Sequence, residues 1–124
     1  MPDKITIDGN ILIVTPGQEW TNHQVLASRA RVSRIVEGNG IKRILIDVRK
    51  SGVRMSTVEI FDLHDLHQHE FSKDTKHALL YSPANIARAD VQFAENVAVN
   101  RGIYLKVFTD IESAKRWLQE DMGA

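Results

Sequence analysis

The residues best suited to chemistry lie in three places along the chain. Three of the 5 histidines fall within His64-Asp65-Leu66-His67-Gln68-His69. His64 and His67 are three apart, so on a helix they share a face and could share a metal ion, with His77 or Asp65 completing the set. Helical zinc motifs instead space their histidines four apart around a catalytic Glu, and this segment does not. Structural histidines are the plainer reading, and no metal site is assigned. A cluster of them would change charge near neutral pH. Asp47 ends an apolar stretch at the place where open α/β sheets collect ligand and catalytic groups. Glu95 or Asp110 would make it a carboxylate pair; capping, or pairing with a neighbouring Arg, is the simpler expectation. Ser56 and Thr57 open a predicted helix, with Arg49, Lys50 and Arg54 just upstream. Free amides and the positive dipole end can hold an anion there, and Ser56 can equally serve only as a cap.

Other chemistries are excluded by residue type or pattern. The chain has no cysteine, which removes disulfides, thiolate nucleophiles and thiolate metal ligands. Gly38-Asn39-Gly40 precedes a predicted strand and is followed by Arg43 where a third glycine would stand, so it is no dinucleotide fingerprint. Neither a phosphate-binding P-loop nor a nucleophile elbow occurs. No cofactor is expected.

The elements that must position these residues follow from hydrophobic spacing. Ile5 and Ile7 alternate with Thr6 as in a half-exposed strand, and Asp8-Gly9-Asn10 turns the chain into the apolar run Ile11-Leu12-Ile13-Val14. This is an antiparallel hairpin. Thr21 then caps a helix running to about Glu37, with Val25, Val32 and Val36 in one stripe and Arg31 and Arg34 outside it. A strand over residues 43–48 follows, then a polar loop. Ser56-Thr57-Val58-Glu59 reads as a capping box for a second helix to about His69. Residues 78–81 form a strand stopped by Ser82-Pro83. Residues 90–101 form a helix ended by Gly102, and residues 104–108 form the last strand. Thr109-Asp110-Ile111-Glu112 opens a final helix through Trp117 and Leu118. The order β-β-α-β-α-β-α-β-α with short links calls for one α/β domain over residues 1–124, built on a mostly parallel sheet.

Bulk properties agree. A chain of 124 residues with 43% hydrophobic and 26% charged residues has ordinary globular composition. Lys and Arg number 16 against 16 Asp and Glu, so there is no basic excess to neutralise phosphates, and nucleic acid is not an expected partner. No apolar run approaches the roughly 20 residues of a membrane span, and no signal peptide is visible. The cytoplasm is the expected compartment.

Three stretches taken in order carry a resemblance. They are Ile44-Leu45-Ile46-Asp47-Val48-Arg49, then Phe93-Ala94-Glu95-Asn96 with Asn100-Arg101-Gly102, then Val107-Phe108-Thr109-Asp110 with Ala114 and Trp117-Leu118. From about Ile11 to Leu118 the chain resembles the SpoIIAA-like family, whose fold is shared with STAS domains and more distantly with SEC14-type lipid-binding domains. The resemblance implies a non-catalytic regulatory or protein-interaction module. STAS antagonists carry a phosphorylatable Ser in a short Ser- and Gly-rich motif at a helix start. Here Ser56 and Thr57 hold that place with no adjacent Gly, so a phospho-switch or anion site would fall to Arg49, Arg54, Ser56 and Thr57.

The predicted second helix adds its own hint. Val58, Phe61 and Leu66 cover one broad arc, while Ile60 and Leu63 face elsewhere. A helix apolar around so much of its girth meets a loop, a partner or an apolar ligand. Ile60, Leu63, His64 and His67 are therefore the candidate partner or ligand surface. The leading expectation is a self-associating module, its expected partners being a second copy as a homodimer and another protein. The SEC14-type relatives supply the alternative, a carrier or sensor of a lipid or other small apolar molecule.

Overall fold

The hairpin forms as its alternation requires. β1 (Lys4–Asp8) and β2 (Ile11–Thr15) pair antiparallel through Gly9-Asn10, with Thr6 opposite Ile13 and Asp8 opposite Ile11. The computed structural model describes residues 4–15, 19–50, 52–54, 75–84, 86–100 and 102–120. The segment containing Ser56, Thr57, Ile60, Leu63, His64 and His67 lies outside the described residues, and with it the expected second helix.

β2 leads through a short strand, β3 (Glu19–Thr21), into α1 (Asn22–Asn39). β4 (Arg43–Asp47) returns parallel to β2, with Leu12 opposite Ile44 and Val14 opposite Ile46. The stretch after β4, expected to be only a polar loop, contains a further strand, β5 (Gly52–Arg54). It pairs parallel with β3, Trp20 opposite Val53, in a separate two-stranded sheet. Three residues are too few for hydrophobic periodicity to announce a strand, so only a partner distant in sequence reveals either one.

β6 (Lys76–Leu80) begins two residues before the expected start at Ala78. It pairs parallel with β4, and β7 (Tyr104–Phe108) pairs parallel with β6. α2 (Arg88–Asn100) links those two strands, and α3 (Ile111–Gln119) follows β7. The main sheet has five strands in the order β1-β2-β4-β6-β7.

Strand alternation sorts the core onto the two faces. Leu12, Val14, Ile44 and Ile46 meet Val32 of α1, and Ile46 and Leu79 also meet Val91 of α2, so both helices cover one face. Ile11, Leu45, Ala78 and Leu80 meet Ala114, Trp117 and Leu118 of α3 on the other. Leu12, Leu45, Leu80 and Leu118 are wholly buried, each worth about 1.5–3 kcal/mol in apolar area removed from water. The central strands are covered on both sides, which is why they read as continuous apolar runs.

Helices α1 and α2 stop by the same device. Gly40 (φ 64) and Gly102 (φ 77) take the left-handed conformation just past each helix end. The next amide turns back, Ile41 N to the Val36 carbonyl at 3.2 Å and Ile103 N to the Ala98 carbonyl at 2.9 Å. These are Schellman closures; Ile41 and Ile103 are then buried.

Candidate functional site

Because β4, β6 and β7 run parallel, their carboxyl ends share one rim of the sheet. Backbone bonds extend the ladder past the strands there: Val48 N donates to the Leu80 carbonyl at 2.8 Å and Tyr81 N to the Phe108 carbonyl at 2.9 Å. Val48 and Tyr81 are buried, and they seat the polar residues beside them.

Asp47 sits on this rim, as its position at a strand end requires. Arg49 grips it with both ends of the guanidinium, Nε to Oδ1 at 3.0 Å and a terminal nitrogen to Oδ2 at 2.8 Å, and its backbone amide adds a bond to Oδ1 at 3.1 Å. Partial burial pushes the Asp47 carboxyl up, but the Arg49 hydrogen bonds and the charges of Arg49 and Lys50 outweigh it and hold the group below its ordinary range. An ionised acid so held neither donates a proton near neutral pH nor keeps an open lone pair facing its arginine.

The other carboxylates weighed with Asp47 are engaged separately. Asp110 caps α3, accepting from the Ser113 amide at 3.0 Å and the Ser113 hydroxyl at 2.8 Å. Those bonds lower its pKa. Glu95 on α2 accepts the Val107 amide of β7 at 3.1 Å and the Gln92 side chain at 2.7 Å. A shared carboxylate pair is therefore not what these residues build.

The anion candidates are only partly in view. Arg49 is committed to Asp47. Arg54 closes β5, opposite Thr21 in the register. Ser56 and Thr57 lie outside the described residues, as do Ile60, Leu63, His64 and His67. His77 is buried in β6, 2% exposed, opposite Ile44 and Leu105. Among the described residues no three His, Asp or Glu side chains gather to hold a metal ion.

Sequence reasoning missed the polar cluster at the opposite end of the strands. Lys76 is 2% exposed, and its Nζ donates to the Trp117 carbonyl at 2.6 Å and the Glu120 carbonyl at 2.7 Å. The ammonium also lies 4.8 Å from the Trp117 ring centroid and 5.6 Å from that of Tyr104. Arg43 Nε donates to the Leu118 carbonyl at 2.7 Å. Two cations thus gather on the carbonyls at the negative end of α3, where the Trp117 carbonyl also accepts the Glu120 amide at 3.2 Å. The signal was there, since Arg43 and Lys76 open adjacent strands, but only the β4–β6 register, which sets the two opposite each other, brings them together.

An antiparallel hairpin opening an otherwise parallel sheet, with helices on both faces, is the architecture of the SpoIIAA-like fold. Solved structures share it, three of them as follows. An anti-sigma factor antagonist from Mycobacterium paratuberculosis superposes with a TM-score of 0.67 at 12% identity, over 95% of this chain and 93% of that one. The anti-sigma factor antagonist SpoIIAA in its unphosphorylated form gives 0.59 at 13% identity, over 95% and 99%. An uncharacterized protein of the DUF3478 family from Shewanella loihica PV-4, described as having a SpoIIAA-like fold, gives 0.55 at 17% identity, over 94% and 91%. In sequence, no family model and no curated protein matches the chain. The likeness expected from the sequence holds at the level of fold.

Proposed function

We propose that the domain is a non-catalytic regulatory module that acts by binding other protein surfaces, including a second copy of itself. The observation that carries this reading is the closed Asp47–Arg49 pair. It occupies the rim where α/β sheets present reactive groups, and it consumes the best-placed carboxylate there. The shared fold supports the same reading, since two of the similar structures are anti-sigma factor antagonists. No helix among the described residues is long and apolar enough to cross a membrane.

Native mass spectrometry of the chain purified without detergent tests the proposal. The expected species are the bare chain, its dimer, and a stoichiometric complex with a protein partner retained through purification. A small apolar molecule bound to most of the population would overturn it in favour of a ligand carrier.

A further inference from the structure

β1 forms one edge of the main sheet, and among the described residues no strand pairs with its outer side. The opposite edge is managed differently. There the Val107 amide of β7 is taken by Glu95 Oε1 at 3.1 Å, a side chain standing where a further strand would bond.

The residues of β1 are Lys4-Ile5-Thr6-Ile7-Asp8. Laid antiparallel against a copy of itself about Thr6, this strand sets Lys4 opposite Asp8, Ile5 opposite Ile7, and Thr6 opposite Thr6. Every cross-strand pair in that register is of a favourable kind: opposite charges, apolar with apolar, hydroxyl with hydroxyl. A two-fold interface demands such self-complementarity, because each residue must suit its partner in both directions. Edge strands protected against pairing carry charges that repel in the paired state; here the mirrored charges attract.

The apolar row supports the same register. Ile5 packs against the cluster around Leu12 and Val14, whereas Ile7 is 51% exposed on the same face of the sheet. Pairing about Thr6 places each Ile7 beside the other copy's Ile5 and continues that core across the junction. Asp8 stays available to a second cation: its contact with Lys115 is 3.5 Å long, and its side chain is 66% exposed.

We infer that β1 is the self-association surface of this protein, pairing antiparallel with β1 of a second copy so that one sheet runs through both. The inference rests on the self-association proposed above and names its surface. An interface built on five residues per copy is small, so the dimer is a weak one, with a dissociation constant in roughly the micromolar range.

Charge reversal tests it. Lys4→Asp alone sets Asp against Asp twice in the dimer, and Asp8→Lys alone sets Lys against Lys twice. Each should weaken dimerisation by roughly ten- to a hundredfold in sedimentation equilibrium. An equimolar mixture of the two variants restores both opposite-charge pairs and should dimerise, as should the doubly substituted chain. If either variant folds poorly, hydrogen exchange of the unaltered chain decides, through protection of β1 amides that rises with protein concentration. Dimerisation unaffected by all of these changes, or β1 amides indifferent to concentration in a dimeric sample, overturns the surface and leaves self-association standing. A strictly monomeric unaltered chain at about millimolar concentration overturns both.

Discussion

Lys76 Nζ lies 2.6 Å from the Trp117 carbonyl oxygen and 4.8 Å from the centroid of the same residue's indole ring. One ammonium thereby closes the end of α3 and packs on its largest side chain. Trp117 in turn meets Tyr104 at 5.3 Å and Phe108 at 5.7 Å between ring centroids. The last helix is held to the sheet by a cation as well as by apolar area.

Replacing that cation should be costly. Lys76→Met keeps much of the stem but takes the ammonium away from the Trp117 and Glu120 carbonyls, leaving the Trp117 carbonyl with the Glu120 amide at 3.2 Å. Two hydrogen bonds from a charged group are lost, and we expect a fall of roughly 3 kcal/mol in unfolding free energy by denaturant titration. Lys76→Arg should recover part of it. A loss below about 0.5 kcal/mol for Lys76→Met would show that the carbonyls find water instead.

Acid should destabilise the protein in a defined window. Asp47 and Asp110 both have folded pKa values below the ordinary 3.8. A lowered carboxyl contributes stability that is fully present above the unfolded value and is lost as pH falls through the folded one. Stability should therefore decline from about pH 4 downward. Asp47→Asn should flatten that decline, measured as the pH dependence of the urea midpoint; an unchanged slope would separate Asp47 from it.

The cap on α3 should be separable from the rim. Asp110→Ala removes the acceptor for the Ser113 amide and hydroxyl. It should lower the thermal midpoint by a few degrees, and Asp110→Asn, which still accepts, should lose less. Equal losses would mean that charge against the helix dipole, not the cap bond, is what matters.

Glu95 guards an edge, so its removal should have a local signature. Glu95→Ala frees the Val107 amide, and that amide should exchange with solvent roughly fivefold faster, matching the loss of about 1 kcal/mol for one hydrogen bond. Unchanged exchange at Val107 would assign the protection to the sheet itself.

Much of this architecture was legible in the residues alone. The alternation at Ile5 and Ile7, the unbroken apolar runs of β2 and β4, and the glycines after α1 and α2 are local signals, and each reports the bonding of its own segment. Ile44 through Asp47 announced both a buried strand and an acid at its end, and of the two roles expected for that acid, capping or pairing with a neighbouring Arg, the structure shows the pair, with Arg49.

What the tertiary structure decided is what depends on register between distant segments. β3 and β5 exist because residues 19–21 and 52–54 lie side by side, and neither triplet carries a period of its own. Lys76 read as a polar residue ahead of a strand. Its burial follows from the parallel pairing that brings it under the end of α3, more than forty residues later in the chain, where its ammonium meets the Trp117 and Glu120 carbonyls. Local sequence sets which face of a segment is apolar; the fold alone sets what that face, and the charges at its ends, will meet.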